Sequence, residues 1–301
     1  MFRLAQISDI HLGPIPKPTW RQLMSKRAIG YTNWRRNRAR AMTAETLNRL
    51  VDDMEAQAPD HIAVTGDLTN IALLKEFVAA RRWLDELGEP DRVTVIPGNH
   101  DAYVPNAGRR FRRLWAPYML GDDAVRVDEA LFPFMRRKGD VAIIGVSSAV
   151  ASAPFMATGR VGSGQTDRLR ILLEQAREED LFRVVLIHHP PKLIDPRSTW
   201  RRLTDGKRFR AMIEETGAEL IVHGHEHIRS MTAIPGPRGP IPVVGVPAGS
   251  GPAIGGPRAG GYAIHEIGGC KRGCEVTVIH RGYNSAGEIE ETVRSSYTIA
   301  R

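Results

Sequence analysis

The sequence predicts a layered α/β fold in one domain, with a second, largely antiparallel sheet packed against the first. Three observations carry this. Short apolar strand-like runs alternate with helical patterns through the first three-quarters of the chain. The last quarter holds Gly- and Pro-punctuated strand candidates without helices. Successive strand candidates also end in polar clusters of Asp, Asn or His. A chain of 301 residues with 42% hydrophobic content can fill a sizeable core.

The first strand is read from Phe2, Leu4 and Ile7, a short apolar run that Gly13-Pro14 closes in a turn. Leu47, Leu50, Val51, Met54 and Ala58 fall at helical spacing, and Pro59 stops that helix before the β-branched run "DHIAVTGD". A second helix carries Leu74, Phe77, Val78, Leu84 and Leu87 and leads into "RVTVIPGNHD". "VAIIGVS", a helix around Leu169, Leu172, Leu173 and Ala176, and "RVVLIHHPP" continue the alternation. A helix near 206–216 precedes "AELIVHGHEH". Strand candidates come next around 228–234, 241–247, 261–267 and 275–281, and these predict the second sheet.

The formal charge of +8 is concentrated rather than diffuse. Between Ile10 and Ala44 there is no acidic residue, while Lys17, Arg21, Lys26, Arg27, Arg35, Arg36, Arg38 and Arg40 supply eight positive charges. One basic segment beside the first strand suggests a local field for an anionic ligand, and nucleic acid is not expected as the main partner. Cys270 and Cys274, the only cysteines, are too few for a disulfide framework and are read as ordinary thiols. No run of about 18 apolar residues occurs, and the N-terminus enters a strand directly. Neither a membrane span nor a signal peptide is therefore expected. The expected location is the cytoplasm, at most peripheral to the inner membrane face.

Asp9 and His11, two apart at the end of the first strand, are expected on one face, where a carboxylate and an imidazole can meet one cation. Taken alone the triplet carries little, because an Asp capping a turn beside a surface His fits it as well. Four more strand ends carry Gly66-Asp67, Gly98-Asn99-His100-Asp101, His188-His189 and Gly224-His225-Glu226-His227. Ligands of α/β sheets gather outside the carboxyl ends of strands, so the five clusters are expected to share one site. Gly66, Gly98 and Gly224 would let the backbone turn sharply there.

The ordered set D-x-H, G-D, G-N-H-D, H and G-H-x-H resembles the signature of calcineurin-like metallophosphoesterases, complete from Asp9 to His227 over about three quarters of the chain. "VPAGSG" is similar to the segment after the last motif in that family. The resemblance implies a two-sheet sandwich flanked by helices, αββα, in a single domain spanning 1–301. It implies two divalent or trivalent transition-metal ions (Mn, Fe or Zn), one held by Asp9, His11, Asp67 and His227. The second would be held by Asp67, Asn99, His188 and His225, with Asp67 bridging. It further implies a hydroxide bridging the metals as the nucleophile on a phosphoester, His100 as the group protonating the leaving group or stabilising its charge, and Asp101 orienting His100. His189 and His223 are read as structural, His61, His265 and His280 as ordinary polar residues, and Arg109, Arg110, Arg112 and Arg113 as a solvated helix face.

Within the family, "LAQISDIHLG" and the compact length are most similar to class III cyclic-nucleotide phosphodiesterases and their bacterial relatives, which makes a small phosphodiester or nucleotide-like ester the leading substrate. The departure is a basic amphipathic insertion at about 14–40. On a helical wheel Trp20, Leu23, Met24, Ala28, Tyr31 and Trp34 form a stripe, although Arg27 intrudes and Gly30 weakens the helix. Such a stripe packs on its own domain, covers the site as a lid, or anchors the protein to anionic lipid. Two alternatives remain. One is hydrolysis of a lipid-linked nucleotide phosphoanhydride of the UDP-diacylglucosamine type at a membrane surface. The other is a non-catalytic scaffold or a nuclease subunit.

Overall fold

The first strand, β1 (Phe2–Ile7), is followed by two helices where the sequence suggests one, α1 (Trp20–Leu23) and α2 (Arg27–Asn37). Then come α3 (Ala44–Ala56), β2 (His61–Val64), α4 (Leu74–Leu87), β3 (Val93–Val95) and α5 (Ala107–Leu114). Next are β4 (Phe134–Lys138), β5 (Val141–Val146), α6 (Ser163–Glu178), β6 (Phe182–Ile187), α7 (Gly206–Thr216) and β7 (Leu220–His223). The chain finishes with β8 (Ser230–Ile234), β9 (Ile241–Gly245), β10 (Gly261–Gly268), β11 (Cys274–Tyr283) and β12 (Ile289–Ile299). The structure, a computed structural model, describes residues 1–37, 44–124, 132–268 and 274–299. Arg38, Arg40 and Cys270 lie outside the described residues.

Two six-stranded mixed sheets face each other, ordered β12-β11-β10-β1-β2-β3 and β4-β5-β6-β7-β9-β8. The second sheet is therefore not built from the late strands, as the change of rhythm suggests. β10 pairs antiparallel with β1 (Leu4 opposite His265), while β9 pairs parallel with β7. The late strands are thus divided between both sheets, and the helix-poor composition marks only the absence of crossovers among them. β12 is not announced by its sequence: it is an edge strand whose residues are mostly exposed or half-buried, so it lacks the apolar alternation that identifies a strand.

Alternation within the strands builds the layers. Val184 and Leu186 of β6 join the core between the sheets, while Val185 and Ile187 turn outward to Leu169 and Leu173 of α6 and Phe209 and Ile213 of α7. Strands covered on both faces read as the continuous apolar runs seen in the sequence. On the other sheet, Leu47 and Leu50 of α3 and Phe77 and Leu84 of α4 pack into the first core. The parallel strands β1, β2 and β3 of one sheet and β6 and β7 of the other end at one edge of the sandwich, where the five polar clusters follow them. Among the described residues no helix is long and apolar enough to cross a membrane.

Candidate metal centre

Asp9 and His11 do not meet by the pleat of a strand. β1 ends at Ile7, and both residues lie beyond it in left-handed backbone, with φ of 53° and 43°. The Asp9 N–H donates to the Gly66 carbonyl and the His11 N–H to the Asp67 carbonyl, each at 2.9 Å, so the two loops run side by side. Asp67, His225 and His227 are also left-handed, at 57°, 73° and 55°. That conformation costs a non-glycine residue about 1–2 kcal/mol. Five such residues at one place are strain held by the surrounding fold, as functional sites commonly show.

The side chains so placed converge. Asp9 Oδ1 lies 3.0 Å from His227 Nε2 and 4.0 Å from His11 Nε2. Asp67 Oδ2 stands between His188 Nε2, at 3.3 Å, and His11 Nε2, at 4.0 Å. Asn99 Oδ1 is 3.2 Å from His188 Nε2. The second carboxylate oxygens are fixed by backbone: Asp9 Oδ2 accepts from the His225 N–H (2.9 Å) and Asp67 Oδ1 from the His100 N–H (2.7 Å). Among the described residues three groups could hold a metal ion, each with donor atoms within 4.8 Å of one another: Asp9, His11 and His227; His11, Asp67 and His100; and Asp67, His188 and His225.

The imidazoles share one arrangement. His11 Nδ1 lies 3.1 Å from the Thr69 carbonyl and His188 Nδ1 2.7 Å from the Thr65 carbonyl, while His225 Nε2 lies 3.0 Å from the Arg201 carbonyl. A carbonyl only accepts, so each of these nitrogens carries the proton and the other ring nitrogen offers its lone pair, the usual way a ligating histidine is oriented. His11 Nε2 and His227 Nε2 approach to 3.5 Å. Burial would raise Asp67, but His188, His100 and His11 outweigh it and hold the carboxyl below its usual range. Burial would lower His188, yet Asp67 and Asp9 push it up to about 9. A mixture of imidazole, carboxylate and amide oxygen around the two carboxylates fits first-row transition ions.

Asp101 does not take the place expected of it. Its buried carboxylate accepts from the backbone N–H groups of Gly98 (2.9 Å), Asp67 (3.0 Å) and Thr69 (2.9 Å) and from the Thr69 hydroxyl (3.0 Å). It pins the loops after β2 and β3 together. Its pKa is pushed up to about 7 by burial and by the Asp67 carboxylate. The Asn70 carbonyl, at 2.5 Å, is what orients His100 through Nδ1, and the Tyr103 ring stacks on the imidazole with centroids 5.5 Å apart.

The glycines act differently from expectation as well. Of Gly66, Gly98 and Gly224, only Gly66 has a left-handed φ, at 105°. At Gly98 a Cβ would come 2.6 Å from Asp67 Cγ, and at Gly224 2.6 Å from Asp9 Oδ2, so these two make room for the carboxylates. His189 lies behind the cluster, with Nδ1 2.7 Å from Ser148 Oγ and Nε2 3.2 Å from the Ala157 carbonyl. His223 is buried, its Nδ1 2.9 Å from the Gly224 carbonyl. Arg110, on the predicted helix face, donates to the Ala72 carbonyl.

Sequence reasoning misses Arg201, Arg258 and Tyr103. Arg201, in a short 3-10 turn at Thr199–Arg201, donates to the His225 carbonyl. With Arg258 it flanks a cavity of about 170 Å³ lined also by Asp67, Asn99, His100 and His227. No motif spacing announces these residues; they reach the site through the fold. The basic insertion is partly structural. Lys26 Nζ donates to the Ser152 and Met156 carbonyls at 3.2 and 3.0 Å, and the Arg27 guanidinium to the Ile71 and Ala72 carbonyls at 2.9 and 2.8 Å. These two charges are thus spent on backbone rather than offered to a ligand. Tyr31 and Trp34 pack against the core, while Trp20 and Met24 are exposed, so the expected apolar stripe is buried at one end only.

A family model described as calcineurin-like phosphoesterase matches residues 2–229. The chain is 27% identical over 237 residues to the glycerophosphodiester phosphodiesterase GpdQ of Enterobacter lignolyticus (strain SCF1), a match that covers 76% of this chain and 72% of that protein. Among solved structures it is similar to a dimetal phosphatase from Danio rerio, with a TM-score of 0.63 at 12% identity, covering 99% of this chain and 98% of that one. A purple acid phosphatase from yellow lupin (Lupinus luteus) shares the fold with a TM-score of 0.60 at 14% identity, over 100% of this chain and 54% of the other.

Proposed function

The chain belongs to the calcineurin-like phosphoesterase family and is a metal-dependent phosphohydrolase, and from that premise we propose that it is a phosphodiesterase whose two metal ions are held by the seven residues brought together at the sandwich edge. Asp9, His11, Asp67 and His227 hold one ion; Asp67, Asn99, His188 and His225 hold the other. Mn, Fe and Zn all suit this donor set. The observation that carries the reading is the position of Asp67 Oδ2 between His188 Nε2 and His11 Nε2, the place of a shared anion. The diester class is supported by the relative named a glycerophosphodiester phosphodiesterase.

When bound, the two ions supply Lewis acidity at phosphorus and acidify water. The chain does the rest. Arg201 and Arg258 border the cavity over the cluster and offer positive charge to the two non-bridging phosphoryl oxygens. The Nδ1–H of His100 is held by the Asn70 carbonyl, so a proton for the departing alkoxide would leave from Nε2 of the doubly protonated ring, which returns to the neutral Nδ1–H tautomer. Asp101 and the stacked Tyr103 hold the loop and the ring that carry this function. Residues 1–301 act as one phosphoesterase domain, and the described part of the basic insertion, 14–37, reaches its site through α2.

Bis(p-nitrophenyl) phosphate and p-nitrophenyl phosphate, assayed after reconstitution with Mn, Zn or Fe separately, test this reading. The diester is expected to turn over faster, and Asp67→Ala or Asn99→Ala to abolish hydrolysis while leaving the circular dichroism spectrum native. Full activity in either variant would remove the binuclear assignment, and a monoester preference would remove the diesterase.

A further inference from the structure

Beside the candidate metal ligands lies a larger cavity of about 420 Å³ that shares Asn99, His100, Ala157 and Arg201 with the smaller one over those ligands. One wall is the polar site itself. The opposite wall is apolar: Ile29 and Trp34 from α2, Tyr103, Phe155 and Met156, and Trp200. The insertion thus forms one side of the space next to the scissile bond. Lys26 fastens it there, sitting over the Tyr103 ring at 4.6 Å while bonding the 152–156 loop.

The apolar surface does not stop at the cavity. Phe155 is 79% exposed and Trp200 48%; on α1 and the turn after it, just before the Lys26 that bonds the 152–156 loop, Trp20 is 66% and Met24 75% exposed. Large apolar side chains exposed on segments that Lys26 ties together beside a site mark a surface that something covers. Positive charge accompanies them. The Arg21 guanidinium packs over the Trp20 ring at 5.2 Å, Arg35 and Arg36 are exposed on α2, and the segment from Ile10 to Ala44 has no acid. Exposed Trp and Met with Arg beside them are the combination that binds an anionic lipid interface.

Resting on the phosphodiesterase reading, we propose that the substrate is an amphiphilic phosphoester. Its phosphate lies at the metal centre, its acyl or alkyl part lies along Trp34, Phe155 and Trp200, and the rim of Trp20, Met24 and Phe155 seats the protein on an anionic bilayer that presents it. A purely soluble ester would end inside the cavity and leave that rim in water. A nucleobase would likewise stack within the cavity and give no role to Trp20 or Met24.

Two measurements test this. In vesicle sedimentation, wild-type protein is expected to bind phosphatidylglycerol/phosphatidylcholine vesicles, to be released by high salt, and to ignore pure phosphatidylcholine. The triple substitution Trp20→Ser, Met24→Ser, Phe155→Asn, whose sites are all exposed, should weaken that binding at least about tenfold at an unchanged melting temperature. In kinetics, decyl p-nitrophenyl phosphate should show a lower KM than methyl p-nitrophenyl phosphate, and Trp200→Ala should erase the difference. Absent or variant-insensitive vesicle binding would overturn the docking, and equal KM values would overturn the amphiphile. A KM lowered by a nucleoside p-nitrophenyl ester but not by the decyl chain would assign the cavity to a base instead. Wild-type turnover of bis(p-nitrophenyl) phosphate checks the phosphodiesterase reading separately, so the two can fail independently.

Discussion

At Asp67 one carboxylate answers to both halves of the site, with Oδ1 tied to the His100 N–H and Oδ2 between two imidazoles. Gly98 leaves room for it, and Gly98→Ala would place a methyl group 2.6 Å from Asp67 Cγ. The expected outcome is a folded protein with turnover reduced by about 10²-fold, the cost of displacing a reacting geometry by about 1 Å. Wild-type kcat in this variant would show that Asp67 does not set the geometry. His100→Asn should keep metal content, measured by elemental analysis, and lower turnover by about 10²–10⁴-fold. That loss should be smaller for a p-nitrophenyl than for an alkyl leaving group; equal losses would make His100 an electrostatic rather than a proton-donating residue. The five clusters that contain the candidate ligands were legible in the sequence because each follows a strand end marked by glycine or polar residues, and the choice of seven ligands among them is what the family resemblance implies. The left-handed backbone that aims Asp9 and His11 was not, nor was Arg201, because tertiary contacts fix both.

Among the elements, α2 departs most from what its sequence suggests. A basic amphipathic stripe reads as one helix; the structure breaks it at Met24–Lys26 and spends Lys26 on the Ser152 and Met156 carbonyls. Lys26→Met keeps the aliphatic stem and deletes the ammonium, with its hydrogen bonds to the 152–156 loop and its contact with the Tyr103 ring. A loss of about 1–3 kcal/mol in unfolding free energy is expected, with a KM increase as the cavity wall loosens. Denaturant titration and steady-state kinetics read the two effects, and no change in either would reduce Lys26 to a surface charge. The strands β1–β3 and β5–β7 were legible as short apolar runs, whereas the edge strands β4 and β12 gain their pairing from β5 and β11 and were not read from the sequence.

Across the whole molecule, the sheet that contains β1 buries His61, His265 and His280, whose pKa values burial pushes down to about 3, about 3 and about 4. His61 Nε2 meets the Thr94 hydroxyl and His265 Nε2 the Gln6 side-chain oxygen, both within the strands. In the unfolded chain these groups take up protons below their ordinary value of 6.5, while the native state keeps them neutral. Their contribution to stability is complete above about pH 6.5 and declines as pH falls toward about 4. Unfolding free energy measured from pH 7.5 to 4.5 should therefore fall with acid, and His265→Gln should flatten the slope; an unchanged slope would place the acid sensitivity elsewhere. The two-sheet sandwich was legible as a class, but the division of late strands between the sheets was not, because alternation reports burial and not the neighbour that provides it.

The most direct test of the account is anomalous scattering from crystals of the metal-loaded protein. Two transition-metal peaks about 3.5–4 Å apart are expected, with Asp67 between them, Asp9, His11 and His227 around one, and Asn99, His188 and His225 around the other. A single peak, or a pair that leaves Asp67 outside both, would contradict it.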